Sequence, residues 1–408
     1  MLNRYLEHAV RQHLATHRQM VFITGPRQVG KTTLAKKLVP NLEPSVNYFN
    51  WDLAEHRKKL LKEVFLGKTD LKDPRRKILI FDEIHKYPRW KNTLKGLFDK
   101  NEPDTHWIVT GSATLNVYHK GQDSLLGRCF AYHLSPLSVA EVVNNGKVNN
   151  SSYEKMISKK LCPASQETIE AFSNLLLFGG FPEPFLKKDK SFLTRWRNTR
   201  LERIINQDLS KTEHLKNLPL VENLMFLLPE RVGSPLSLNN LREELEVHHA
   251  TVKHWIELLE RVFYGFSIRP YSNKISRALK KESKFYLWDW SEITDEGARF
   301  ENMVAVHLLK YVSYINDTGL GILSLYYLRD KEKREIDFLI CNNRKPEILI
   351  ECKLKDKNIS ESLLYYTNKL KPKKTIQLIS ENINPISKLY GSAIIDLIPA
   401  AAFLSELI

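Results

Sequence analysis

The chain has 408 residues, 42% of them hydrophobic, and a formal net charge of +15 at pH 7. This length predicts two or three domains, and the hydrophobic content is sufficient for folded cores. Scattered cysteines and the lack of any apolar run of membrane-spanning length argue against a disulfide framework, a zinc site or a membrane protein.

The net charge and the cysteines indicate which partner the protein binds and in which cellular compartment it lies. The positive charge favours a polyanionic partner, usually nucleic acid, although a lysine-rich solvated surface would give the same balance. Cys129, Cys162, Cys341 and Cys352 show no C-x-x-C spacing, which is typical of a reducing cytosol. Because the first 19 residues form an amphipathic helical pattern rather than a secretory signal, we expect a cytoplasmic protein without a membrane partner.

A glycine-rich loop stands between a predicted strand and a predicted helix in residues 21–33, VFITGPRQVGKTT. It fits G-x-x-x-x-G-K-[ST], and its backbone N–H groups with the helix N-terminus would bind an anion. Lys31 can reach the β- and γ-phosphates, and the Thr32 hydroxyl can bind Mg²⁺. A chance glycine turn is the alternative. The residues predicted to hold the nucleotide here are Gly25, Pro26, Arg27, Gln28, Val29, Gly30, Lys31, Thr32 and Thr33.

Two acids end the apolar stretch KILIFDE, residues 77–83, about 50 residues after the loop. This is the Walker B pattern, in which a buried strand brings a carboxylate to the ligand edge of the sheet. Asp82 would bind Mg²⁺, and Glu83 would act on the attacking water. We therefore predict ATP hydrolysis, with ATP and Mg²⁺ as cofactors.

The next apolar strand, residues 106–112, also ends in polar residues. Thr110 or Ser112 could sense the γ-phosphate or the attacking water, and a simple strand-end turn is the alternative. Arg128, in LLGR, could act as an arginine finger on the nucleotide of a neighbouring subunit, which would require a homo-oligomer. A solvated or ion-paired arginine is equally compatible with the sequence.

Residues 1–145 resemble the AAA_14 type of AAA+ P-loop ATPase. The resemblance is carried by GPRQVGKTT, FDEIHKYPRW, VTGSATL and LLGRCFAYHLSPLSVAE. It implies an ATPase core in which Lys31, Thr32, Asp82, Glu83 and Ser112 take the roles described above.

The sequence pattern in the middle of the chain predicts a helical connector followed by a DNA-binding element. Residues 146–232 read as a polar flexible loop followed by helices, including a basic helix at 194–209 that could contact phosphates or form a solvated face. Residues 233–295 show helix, turn, helix and two strands, as in a winged helix-turn-helix. A packing module is the alternative. The candidate DNA-contacting residues are His249, Thr251, Lys253 and His254, with Arg277, Lys280 and Lys281 between the strands.

Residues 296–408 show the order αβββαβ and the spacing D-x(13)-E-x-K, as in PD-(D/E)xK nucleases. Strand residues i and i+2 share a face, so Glu351 and Lys353 should point together. Asp337 and Glu351 would bind Mg²⁺, Lys353 would orient water, and Glu301 would add a carboxylate. A solvated strand face, or a degenerate relative that does not cleave nucleic acid, would show the same sequence pattern.

Residues 170–408 resemble the DUF4143 family. The matching blocks are FGGFPEP, RNTRLERIINQDL, KFYLWDW, GARFEN, REIDFLI and ILIECK. The resemblance implies a DUF4143 region, a family that accompanies AAA_14 domains. The nuclease fold is implied by the D-x(13)-E-x-K motif.

We therefore predict an α/β protein with an AAA+ P-loop NTPase domain, a winged helix-turn-helix middle and a C-terminal PD-(D/E)xK nuclease-like domain. Its predicted function is ATP hydrolysis coupled to DNA binding and Mg²⁺-dependent cleavage, with defence against foreign DNA as a hypothesis. Two alternatives stay open: a non-cleaving ATP-driven switch that binds DNA or a protein, and a small-molecule kinase.

Overall fold

The computed structural model describes residues 2–39, 43, 47–64, 77–100, 105–111, 125–148, 162–210, 217–272 and 282–408. The predictions for Ser112, Arg277, Lys280 and Lys281 lie outside these residues. The chain folds into two compact units, Asn3–Ser135 and Pro136–Ile408. No helix in the described ranges is both long and apolar enough to cross a membrane.

The first unit is built on a parallel sheet of five described strands in the order β2-β3-β4-β1-β5. The strands are β1 Met20–Thr24, β2 Tyr48–Asn50, β3 Ile78–Asp82, β4 His106–Thr110 and β5 Cys129–His133. Every residue of β1 is buried, as expected for a central strand whose two faces are both covered.

Helices accompany this sheet. The described α-helices of the first unit are Leu6–Thr16, Lys31–Leu38, Ala54–Lys59 and Trp90–Lys100, with a π-helix at Leu60–Val64 and a 3-10 turn at Ile84–Lys86. Aromatic side chains from neighbouring strands, such as Phe22, Phe81 and Trp107, pack together in one buried core. This packing fixes the strand ends that carry the polar residues.

The second unit combines helices with a mixed sheet of eight described strands in the order β12-β13-β11-β10-β9-β8-β6-β7. The strands are β6 Gly265–Pro270, β7 Lys284–Leu287, β8 Leu323–Arg329, β9 Glu335–Asn342, β10 Lys345–Lys353, β11 Lys374–Ile379, β12 Ile386–Tyr390 and β13 Ala393–Pro399. The described α-helices are Val139–Val143, Gln166–Phe178, Pro182–Lys187, Lys190–Arg203, Leu218–Leu227, Leu238–Glu244, His249–Arg261, Glu296–Asp317, Glu361–Leu370 and Ala400–Leu404. Shorter turns are a π-helix at Ile204–Leu209 and 3-10 helices at Leu228–Arg231 and Trp290–Glu292.

The strands predicted for a wing belong to this larger sheet. β6 and β7 pair with each other in antiparallel fashion, and β6 also pairs in parallel with β8. All four residues of β7 are buried, so this strand is part of a core rather than a solvated wing. The helix pair and the two strands therefore exist as predicted, but one sheet runs across the predicted boundary at residues 295 and 296.

The predicted basic helix is only partly available to a phosphate backbone. Arg200 is 2% exposed, and its Nη1 lies 2.9 Å from Oε1 of Glu292. Arg195 and Arg203 are exposed, whereas Arg197 donates a hydrogen bond to Ser291. Arg200 is thus a structural ion-pair partner, because a buried guanidinium requires a compensating carboxylate.

Candidate nucleotide site and carboxyl-terminal acid cluster

The phosphate loop has the backbone geometry that its glycines permit. Gly25 has φ of 145°, and a Cβ atom there would lie 2.2 Å from the carbonyl oxygen of Leu134. Gly30 adopts the left-handed conformation with φ of 99° and caps the Lys31–Leu38 helix. A side chain is excluded at the first position by contact and disfavoured at the second by conformation. The loop therefore enters the helix N-terminus as the motif predicts.

Lys31 lies over this loop. Its side chain is buried, and Nζ donates to the carbonyl oxygens of Gly25, at 2.9 Å, and Pro26, at 2.7 Å. Pro26 and Val29 are also buried, Arg27 and Gln28 are half-buried, and Thr33 is exposed. The ammonium group is therefore held at the loop by backbone oxygens.

Asp82 is the centre of the polar network at the carboxyl edge of the sheet. Its Oδ2 accepts hydrogen bonds from the hydroxyls of Thr32, at 2.9 Å, and Tyr48, at 2.7 Å. Its Oδ1 accepts from the hydroxyl of Thr110, which is completely buried on β4. Because β4 lies between β1 and β3, the three strand ends and the loop meet at one place.

Glu83 follows Asp82 in an unusual conformation. Its φ is 56°, and its backbone N–H donates to the carbonyl oxygen of Thr110 at 3.0 Å. Its Oε2 lies 3.2 Å from Nζ of Lys86, which also pairs with Asp52 at 2.6 Å. Burial raises the pKa of Glu83, and Lys86 opposes this effect. Residues other than glycine rarely adopt the left-handed backbone conformation, and those that do are concentrated at functional sites.

The residues at this edge fit a magnesium ion. A hydroxyl and a carboxylate, from Thr32 and Asp82, already meet at 2.9 Å. Mg²⁺ prefers oxygen ligands and usually takes only one or two from the protein, with phosphate oxygens and water completing its shell. Thr32 and Asp82 are therefore the residues that would hold it.

A second polar group surrounds Lys284 in the other unit. Lys284 has no exposed surface, and its Nζ lies 2.7 Å from Glu335, 3.1 Å from Glu301 and 3.4 Å from Asp337. We call these three carboxylates the acid cluster. Burial disfavours the charge on Lys284, but the acid cluster outweighs it and raises the pKa of this lysine. Burial and the nearby Asp337 raise the pKa of Glu301 to about 7.

Glu351 and Lys353 form a separate pair on β10. Nζ of Lys353 lies 2.9 Å from Oε1 of Glu351, so the two side chains meet as predicted for positions i and i+2. The other oxygen of Glu351 accepts a hydrogen bond of 2.6 Å from Ser360, at the start of the Glu361–Leu370 helix. Asp337 instead accepts from the backbone N–H of Cys352 at 2.8 Å.

Comparison with protein-family models assigns most of the chain. Residues 17–143 match the AAA domain model AAA_14, and residues 296–401 match the domain of unknown function DUF4143. The chain carries an AAA domain and a DUF4143 domain. Residues 169–291 match a different domain of unknown function, DUF8612. The DUF4143 match therefore begins at residue 296 and not at residue 170, where the predicted resemblance began.

Two relatives come from Methanocaldococcus jannaschii and Mycobacterium tuberculosis. An uncharacterised protein of Methanocaldococcus jannaschii is 24% identical over 394 residues, covering 88% of this chain and 80% of the relative. An uncharacterised protein of Mycobacterium tuberculosis is 23% identical, covering 83% of this chain and 72% of the relative.

Two solved structures resemble the chain only distantly. The Aeropyrum pernix ORC1 protein in complex with DNA has a TM-score of 0.33 at 14% identity, covering 75% of this chain and 93% of its own. AMPPCP-bound DnaA from Aquifex aeolicus has a TM-score of 0.29 at 16% identity, with coverages of 62% and 85%. Similarity at this level carries no argument about DNA or partners.

Arg128 does not lie at the nucleotide site of its own AAA domain. Its carbonyl oxygen accepts from the N–H of Met20, at the amino end of β1, whereas the phosphate loop follows the carboxyl end. Five residues of strand separate these ends by about 13 Å. The Arg128 side chain pairs with Asp99 at 2.8 Å. Contact with the nucleotide of another subunit stays a prediction.

Two residues of the AAA domain site were not predicted. Tyr48 contacts Asp82, although nothing in the sequence marks it among other strand aromatics. Arg4 is buried and donates a hydrogen bond to the carbonyl oxygen of Val29, in the phosphate loop. It also donates to the carbonyl oxygen of Ser135, at 2.6 Å. An arginine 25 residues before its loop partner carries no local signal.

In the DUF4143 domain the predicted metal ligands Asp337 and Glu351 lie on neighbouring strands, β9 and β10, but their side chains have different partners. Glu301 and Asp337 contact Lys284, whereas Glu351 contacts Ser360 and Lys353. Across the described ranges, no three or more histidine, cysteine, aspartate or glutamate side chains are arranged to hold a metal ion. Lys284 is the buried first residue of β7, and its contact with these carboxylates was not predicted.

Proposed function

We propose that this protein binds and hydrolyses ATP in its AAA domain and uses the nucleotide state as a switch. The observation that carries the proposal is the meeting of Thr32, Tyr48 and Thr110 on the Asp82 carboxylate, beside Glu83. A buried carboxylate at a phosphate loop is the arrangement that Mg²⁺–nucleotide binding requires.

The proposed mechanism assigns one task to each residue. The loop N–H groups and Lys31 would bind the phosphates, and Thr32 and Asp82 would hold Mg²⁺. Mg²⁺ held there would neutralise charge on the phosphate oxygens. Glu83 orients the attacking water and accepts its proton, and Thr110 keeps Asp82 in position through a buried hydrogen bond.

Replacing Lys31 by Ala should weaken ATP binding by about 10- to 100-fold, because a charge-assisted contact contributes about 1.5–3 kcal/mol. Fluorescent-nucleotide titration and phosphate release would measure binding and turnover. Lys58→Ala removes an exposed lysine of the same unit and should change neither. Unchanged ATP affinity in Lys31→Ala would contradict the proposal.

We propose nucleic acid, and DNA in particular, as the partner. The chain carries a net charge of +15, and His249, Lys253 and His254 lie exposed on the His249–Arg261 helix. The opposite face of this helix is buried through residues such as Val252 and Trp255, so it can present its outer face from a fixed position.

Lys253→Ala should weaken DNA binding at every sequence tested and lower the slope of log K against log salt by about 1. The reason is the loss of one phosphate contact and its released counterion. Fluorescence anisotropy at several salt concentrations would measure the slope, with Lys331→Ala, at an exposed lysine between β8 and β9, as the control. An unchanged slope in Lys253→Ala would exclude this helix as the contact surface.

Mg²⁺-dependent cleavage of the bound nucleic acid is a second candidate. It is supported by the order of the elements, the Glu296–Asp317 helix, β8, β9, β10, the Glu361–Leu370 helix and β11, and by the Glu351–Lys353 pair. In this proposal Asp337 and Glu351 would bind the metal, and Lys353 and Glu301 would assist. The position of Lys284 favours the non-cleaving switch.

A further inference from the structure

We infer that the ammonium group of Lys284 is a permanent, built-in cation that takes the position a divalent metal would need in the DUF4143 domain. The acid cluster is then a metal-free polar core, and the domain binds its partner without cleaving it. The inference does not depend on ATP hydrolysis by the AAA domain.

The geometry around Lys284 matches the needs of an ammonium group. An ammonium has three N–H donors, and three carboxylates from two elements lie around it. Glu301 comes from the Glu296–Asp317 helix, and Glu335 and Asp337 come from β9, with N–O distances between 2.7 and 3.4 Å. Lys284 has no exposed surface, so the charge is held inside the protein.

Each carboxylate of the acid cluster also has a further partner. Asp337 accepts from the Cys352 N–H at 2.8 Å, and Glu301 accepts from the Tyr286 hydroxyl at 2.7 Å. Glu335 pairs with Arg329 at 2.7 Å. A divalent ion would have to displace these donors and would meet the charge of Lys284 at close range, which is strongly unfavourable in a buried site.

β9 contains a bulge at Asp337. Leu339 pairs with Tyr326, but Ile336 pairs with Leu328, so two residues of β9 oppose one residue of β8. Asp337 is one of these two. Bulges redirect side chains locally, and the Asp337 side chain at this bulge contacts Lys284.

Metal binding by the full-length chain tests the inference. All proteins would carry Thr32→Ala and be studied without nucleotide, so that the AAA domain contributes no Mn²⁺ site. Mn²⁺ binding would be followed by electron paramagnetic resonance and calorimetry. We expect the same Mn²⁺ stoichiometry with and without Asp337→Asn. Lys284→Ala should gain one Mn²⁺ site, which Asp337→Asn in the same chain should remove.

Three outcomes would overturn the inference. The first is a Mn²⁺ site in the Lys284-containing protein that Asp337→Asn abolishes. The second is Mg²⁺- or Mn²⁺-dependent cleavage of plasmid or single-stranded DNA by the protein without substitutions, abolished by Asp337→Asn. The third is a folded Lys284→Ala protein that gains no Mn²⁺ site. If Lys284→Ala does not fold, the first two comparisons decide, because neither uses that variant.

Discussion

ATP hydrolysis should fall by about 10²- to 10⁴-fold in Glu83→Gln, whereas ATP affinity should stay close to that of the unchanged protein. The amide keeps the size of the side chain but cannot accept a proton. Asp82 and Thr32 are untouched, so the proposed Mg²⁺ ligands remain. Single-turnover hydrolysis and nucleotide titration would separate the two effects.

The pH dependence provides an independent test of Glu83. Burial raises its pKa above the ordinary value of 4.5, and a general base works only when it is ionised. Hydrolysis should therefore be present above this pKa and decline as the pH falls through it, earlier than for an ordinary carboxylate. Glu55→Gln, at an exposed carboxylate of the same unit, is the matched control. Normal turnover by Glu83→Gln would remove Glu83 from the mechanism.

Arg200→Ala should destabilise the second unit by about 3–5 kcal/mol, because it leaves a buried carboxylate without its partner. Glu292 lies 2.9 Å from Arg200, and burial already raises the pKa of Glu292 to about 7 despite that arginine. The guanidinium also lies 4.5 Å from the centre of the Phe181 ring, so its removal loses packing as well as charge.

Urea unfolding, monitored by the transition assigned to the second unit, would measure this loss. Arg203→Ala, at an exposed arginine of the same helix, should change the free energy of unfolding by no more than about 0.5 kcal/mol. If Arg200→Ala were as mild as Arg203→Ala, the buried ion pair would not be stabilising the connector helices.

The nucleotide site was predictable from the sequence because its parts are contiguous. Strand β1, the loop and the Lys31–Leu38 helix follow one another directly, and Asp82 and Glu83 end a single strand. Glycines, lysine and acids at fixed positions therefore identified an AAA domain, which the family comparison confirmed. The predicted roles of individual residues remain predictions.

The acid cluster could not be predicted in the same way, because its members come from distant parts of the chain. Glu301, Asp337 and Glu351 followed the order of a nuclease motif, but the motif cannot show which carboxylates share a cation. Lys284 lies 53 residues before Asp337, and nothing in its local sequence indicates a contact with that carboxylate.

Local sequence thus determined the phosphate loop, the acid-ending strand and the identity of the two named domains, since each depends on neighbouring residues and their backbone conformation. Tertiary structure alone decided that Tyr48 and Thr110 meet Asp82, that β6 extends the sheet of the DUF4143 domain, and that Lys284 sits within the acid cluster. These contacts depend on strand order, register and a bulge, which bring together residues that have no periodic relation along the chain.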